Sequence, residues 1–168
     1  MQKTSQLSGS TVALLLKIKQ AVLTNPKIMN MNNWIEHRTP QNIANYNLQD
    51  EVPECGTVAC IGGWAILMTS PVKYREDLIK EAKRWGGTGY ANAGNLVVEA
   101  IDALGITRQQ AEKLFYVGNW PTEYAQDYQS ATSSLGRAQA VADRIDSFIA
   151  SDGEDGNCDD EEDDPYDE

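Results

Sequence analysis

Histidine is almost missing from this chain: His37 stands alone among 168 residues. A single imidazole removes most acid–base relays and triads. Cysteine is scarce too. Cys55, Cys60 and Cys158 are odd in number and do not form a disulfide framework. No apolar run approaches the roughly 20 residues that a membrane-spanning helix needs; the longest covers residues 58–68. Residues 1–9 lack the apolar centre of a signal peptide. No segment alternates apolar and polar residues with period two, as a half-buried strand would. Nucleophile elbow, metalloprotease and kinase motifs are absent as well. These absences predict a soluble, cytoplasmic, all-α protein with thiols reduced, no membrane contact, no cofactor, no metal and no enzymatic role.

What the chain has in excess is acid, and only at one end. There are 25 Asp and Glu against 14 Lys and Arg, a net charge of −11. Eleven of the acids follow Ser151: Asp152, Glu154, Asp155, Asp159, Asp160, Glu161, Glu162, Asp163, Asp164, Asp167 and Glu168. Residues 1–151 therefore carry 14 acids and 14 bases and are neutral. We expect two parts: a helical domain over 1–151 and an acidic tail over 152–168, too poor in apolar side chains to order alone. Such a tail repels phosphate and attracts basic protein surfaces. The partner-binding candidates are thus Asp152, Glu154, Asp155, Asp159, Asp160, Glu161, Glu162, Asp163 and Asp164. The tail does not match a calcium loop, because the sixth position from Asp152 is Asn157 rather than glycine.

The body is periodic in threes and fours. Val12, Leu15, Leu16, Ile18, Val22 and Leu23 form one stripe, ended by Thr24-Asn25-Pro26. Ile28, Met31, Trp34 and Ile35 follow at helical spacing, and residues 38–54 read as loop. Ser70-Pro71 starts a helix with Leu78, Ile79, Ala82 and Trp85 on its buried face. Ala93, Val97, Ala100, Ile101 and Leu104 mark the next, closed by Gly105. Thr107 and Gln110 make a capping box. Residues 122–130 form a short helix. Ala138, Val141, Ala142, Ile145, Phe148 and Ile149 define the last. The expected architecture is a compact single-domain bundle of six to eight helices.

At its centre lies ECGTVACIGGWAILM, residues 54–68. Cys55 and Cys60 are too few and too widely spaced for a zinc site. With Thr57 as N-cap, Cys60 falls at the third helical position, where the dipole would lower its pKa, but its neighbours are apolar. A helix apolar all round is buried all round. Gly62 and Gly63 each cost about 1 kcal/mol in a helix interior, so close packing must offset them. We expect a central helix over about 57–69, with Gly56, Ala59, Gly62 and Gly63 forming a small-residue track.

The CGTVACIGGWA stretch, with MNMNNW before it and LGIT…LFYVGNWP after it, resembles a family of small uncharacterised proteins from bacteria and their phages. The resemblance covers about residues 12–150 and leaves out the tail. It implies that Cys55, Gly56, Thr57, Cys60, Gly63 and Trp64 act as one structural unit and implies a phage or mobile-element setting. It implies no catalytic residue.

Two other stretches offer binding chemistry. In WGGTGYANAGN, the amides before Leu96 can hold an anion at a helix start; Trp85, Gly87, Gly89, Tyr90, Asn92, Asn95 and Trp120 are the ligand-binding candidates. The Lys-Ser/Thr of a phosphate loop is absent. Residues 100–115 are laid out like a helix-turn-helix, with Arg108, Gln109, Gln110 and Lys113 available for DNA. Ile101 stands where that motif wants a small residue, and nucleic acid suits neither the neutral body nor the acidic tail. The leading expectation is a non-enzymatic interaction protein or inhibitor that offers its tail to a basic surface. A nucleotide or small-ligand module and a DNA-binding protein are the alternatives.

Overall fold

The structure, a computed structural model, describes residues 6–43, 52–84 and 93–157. It is mostly helical, and among the described residues seven helices reach eight residues or more. These are α1 (Gly9–Thr24), α3 (Ile61–Thr69), α4 (Val72–Arg84), α5 (Ala93–Leu104), α6 (Arg108–Phe115), α7 (Thr122–Ser130) and α8 (Ser134–Ala150). A single turn, α2 (Pro40–Ile43), and 3₁₀ turns at Pro26–Ile28 and Val117–Asn119 complete the helical elements.

Local side-chain chemistry starts several of these helices. Ser8 accepts from Thr11 N–H at the start of α1, and Ser133 accepts from Gly136 N–H at the start of α8. Thr107 and Gln110 cap α6 reciprocally. The stripe on α1 places Leu15, Ile18 and Val22 inside. Helix α1 packs on α8, α7 on α8, and α3 on α5. Core and chain direction are tied by side chains: Thr11 Oγ1 donates to the Leu104 carbonyl at the end of α5 (2.6 Å).

The central stretch differs from expectation at its start. Residues Thr57–Ala59 form a strand, β2, antiparallel to β1 (Ile35–His37), with Ile35 opposite Ala59 and His37 opposite Thr57. Met29 adds a parallel bridge to Ala59. Thr57 is therefore a strand residue, not an N-cap. Cys60 is the cap of α3, its Sγ accepting from Gly63 N–H at 3.4 Å. The physical reason lies at Gly56, whose φ of +71° turns the chain into β2 against His37. Three residues of Ile35 to His37 and three of Thr57 to Ala59 are too few to leave a readable alternation.

The shortened α3 is nonetheless the apolar centre. Ile61, Gly62, Gly63, Ala65, Ile66 and Leu67 are buried. A Cβ on Gly63 would collide with the Trp34 carbonyl, and one on Gly62 with the Trp34 ring. The two glycines thus admit the Asn33–Trp34 backbone, which also accepts Cys60 N–H through Asn33 O (3.0 Å). Trp64 closes the unit by donating Nε1–H to Ile28 O (2.9 Å).

Candidate interaction site

The C-terminal acid segment begins as part of the fold. At the end of α8, Gly153 N–H bonds Phe148 O (2.8 Å) and Asp152 N–H bonds Ile149 O (3.1 Å). Asp152 and Gly153 both have positive φ, 53° and 76°. This left-handed pair ends the helix and turns the chain back across it. Residues 152–157 then run as a strap over α6. Gln110 Nε2 donates to Asp152 O (3.0 Å) and Lys113 Nζ to Glu154 O (2.9 Å). Asn157 N–H bonds Asn119 O (2.8 Å).

Beneath the strap sits Arg144, on the buried face of α8 and wholly shielded from solvent. Its Nη1 donates to Asp155 Oδ1 (2.8 Å), and its Nη2 to Lys113 O (3.0 Å) and Asp155 O (3.3 Å). The guanidinium stacks over the Phe148 ring at 5.4 Å. Ser147 Oγ also bonds the Asp155 carboxylate. Burial alone would raise the pKa of Asp155, but bonds from Ser147 and Arg144 outweigh it and hold the carboxyl below its ordinary value. Burial pulls Arg144 down, with Asp155 opposing. The buried cation thus needs the strap, and the strap is fixed by the cation.

This corrects the boundary at residue 151. Residues 152–157 belong to the folded body, and Asp155 faces inward to Arg144 rather than outward to a partner. Glu154 is exposed, and Asp152 is half-buried with its carbonyl engaged. Asp159, Asp160, Glu161, Glu162, Asp163 and Asp164 lie outside the described residues.

The other predicted residues separate. Trp120 is corrected from a ligand-binding candidate to a core residue. It is 1% exposed, donates Nε1–H to Leu114 O (2.9 Å), and meets Tyr128 edge-on. Its indole has no open face for a ligand. Asn95 is exposed in the first turn of α5, while Trp85, Gly87, Gly89, Tyr90 and Asn92 lie outside the described residues. On α6, Arg108 is exposed and pairs with Glu112, whereas Gln110 and Lys113 are engaged by the strap.

The cysteine unit is brought together as architecture. Cys60 is buried, and that burial pushes its thiol up to about 11 despite the Gly63 amide. Cys55 is exposed, with Sγ 3.8 Å from Thr57 O, and both thiols are free. Among the described residues no group of three or more His, Cys, Asp or Glu is placed to hold a metal ion. No helix among them is long and apolar enough to cross a membrane.

Sequence reasoning missed Arg144 and a second buried pair, Glu36–Arg38. The first carried a signal in Ser-Asp-Gly after α8, a turn that sends the chain back. The second is an i, i+2 pair running from β1 to the residue just after it, invisible in a stretch that reads as helix and loop. Comparison with family models, with curated proteins and with solved structures finds no match to this chain.

Proposed function

We propose that this chain is a non-enzymatic interaction protein whose helical body directs an acidic C-terminal segment toward a basic partner surface. The observation that carries this reading is the Arg144–Asp155 clasp. It supports a segment that leaves the body at one place, beside Asn119, rather than from a loose end. Eight carboxylates follow Asn157, whereas residues 1–157 carry 17 acids against 14 bases, a net charge of only −3. Attraction to a basic surface then belongs to the segment, and the body supplies the anchorage. In the phage setting that the sequence resemblance implies, such a segment would act as an inhibitor by covering a surface that otherwise takes nucleic acid.

The test is displacement of a fluorescent DNA duplex from poly-lysine. The full chain should displace it, with an effect that fades as salt rises, because screening shortens to about 10 Å at 0.1 M. A chain ended after Asn157 should not displace it. Equal displacement by both would reject the segment's role. The cut belongs after Asn157, since ending the chain at Ser151 also removes the partner of a buried arginine.

A further inference from the structure

A cleft of about 270 Å³ opens where α1, the turn into β2, α3 and α4 meet. It shares no residue with the strap. Its floor is apolar: Leu67 is buried, and Trp64, Met68 and Ile79 are half-buried along it. Trp64 donates its only polar hydrogen to the Ile28 carbonyl, so its ring offers the cleft an apolar surface. The volume lies just below the roughly 300–1,000 Å³ of most ligand pockets, which suits a small occupant.

Two cations line the same cleft, Lys17 from α1 and Arg75 from α4. Their charged groups make no hydrogen bond or ion pair among the described residues. The lining includes no acid, and α1 has none along its whole length. Glu54, Glu76 and Asp77 flank the lining in sequence, yet neither cation pairs with them. Lys17 is exposed and solvated by water. Arg75 is half-buried, so part of its hydration is lost and no carboxylate replaces it.

An independent group in the cleft also lacks a partner. Thr57 is 6% exposed and belongs to the lining. Its hydroxyl makes no hydrogen bond among the described residues, although buried polar groups normally have one. A carboxylate is an acceptor on every lone pair, so it can take the guanidinium fork and the hydroxyl proton together. The apolar floor beside these donors calls for a hydrocarbon body on that carboxylate.

We propose that this cleft binds a small carboxylate with an apolar body, of the medium-chain fatty-acid class. Arg75 and Lys17 hold the head, Thr57 donates to it, and the chain lies on Trp64, Leu67, Met68 and Ile79. The site is independent of the acidic segment, so it stands or falls separately from the reading above. Cys55, an exposed thiol in the same lining, reports on occupancy.

The experiment is calorimetric titration of the full chain with octanoate. Octanol, with the chain but no charge, and acetate, with the charge but no chain, are the comparisons. Saturable one-to-one binding of octanoate is expected, with both comparisons at least about tenfold weaker. Arg75→Gln should weaken octanoate about tenfold and leave octanol unchanged. Lys17→Gln, at an exposed position, should weaken octanoate about threefold and unfold at the wild-type temperature, which separates lost binding from lost fold. Lys80→Gln, on the exposed face of α4, should leave affinity unchanged. Saturating octanoate should slow alkylation of Cys55 by iodoacetamide severalfold. No saturable binding at millimolar octanoate, octanol bound as tightly, wild-type affinity in Arg75→Gln and Lys17→Gln, or unchanged Cys55 alkylation would overturn the site.

Discussion

Replacing Asp155 by alanine isolates what the strap does for the body. Arg144 is wholly buried and its principal anionic partner is Asp155, whose side chain is 24% exposed. Removing one partner of a buried ion pair typically destabilises by about 3–5 kcal/mol, because the remaining charge is stranded. Arg144 keeps bonds to Lys113 O and Ser147 Oγ, and water can reach the vacated space from the Asp155 side. The low end, about 3 kcal/mol, is therefore expected. For a chain of this size that lowers Tm by about 6–12 °C. Replacing both residues, Arg144→Met with Asp155→Leu, should recover most of the loss, since an apolar pair strands no charge. The assay is urea and thermal unfolding followed by far-UV circular dichroism. Ending the chain after Ser151 should reproduce or exceed the Asp155→Ala effect, while ending it after Asn157 should not. An Asp155→Ala variant within about 1 kcal/mol of wild type, in the range of a surface ion pair, would refute the reasoning.

Three further outcomes follow from the same geometry. Gly63→Ala should lose at least the 1–3 kcal/mol typical of overpacking, roughly, because its Cβ meets backbone rather than a movable side chain; Gly118→Ala, with open space around it, should unfold as wild type does. Iodoacetamide at pH 8 should label exposed Cys55 in the native protein but reach Cys60 only after unfolding, since that thiol is buried with a pKa of about 11; peptide mass mapping distinguishes the two. Acid should weaken the fold in two windows. Burial and then Lys83 hold His37 below 6.5, so the unfolded chain takes that proton first, and stability present above 6.5 is lost as pH falls through the folded value. Asp155, held below 3.8, loses its contribution as pH falls from there through its own folded value. Urea midpoints against pH should show the upper window vanish in His37→Gln and the lower one in Asp155→Ala.

Helices with a long apolar stripe or a strong start signal were legible from residues alone. The Thr107–Gln110 box and the stripe from Ala138 to Ile149 correspond to observed elements, and a helix follows Ser70-Pro71, although it begins at Val72 and Ser70 caps the end of α3 instead. Where the reading failed, a short-range rule yielded to a tertiary contact. Thr57 has the hydroxyl of a good cap, yet β1 recruits it into a ladder, and the thiol of Cys60 does the capping. Gly62 and Gly63 were rightly read as a close approach, but the visitor is the Trp34 backbone and ring, with α5 bringing Ala100 to within 3.3 Å of a Cβ on Gly62. Trp120 looked available beside a turn and is instead buried by a bond inside its own segment. Of the candidate site, the abundance of acid was plain, whereas its first residues' attachment was not. Composition reports charge per segment; it does not report that one carboxylate of eleven faces an arginine eleven residues back.

The pairing of the first long helix with the last has a consequence for how the chain reaches this state. Lys19 meets Asp146 at 2.6 Å across 127 residues, and Met31 meets Tyr128 across 97. Closing loops of that length adds little to the equilibrium cost, since each doubling adds only about 0.6 kcal/mol. It weighs on speed instead, because distant segments must be ordered before their contacts stabilise anything. The protein should therefore fold slowly for one so rich in helix, and neither half should hold its shape when expressed alone. The helix that makes this closure, α8, is also the one that carries Arg144, so docking of α8 and burial of its charge are coupled.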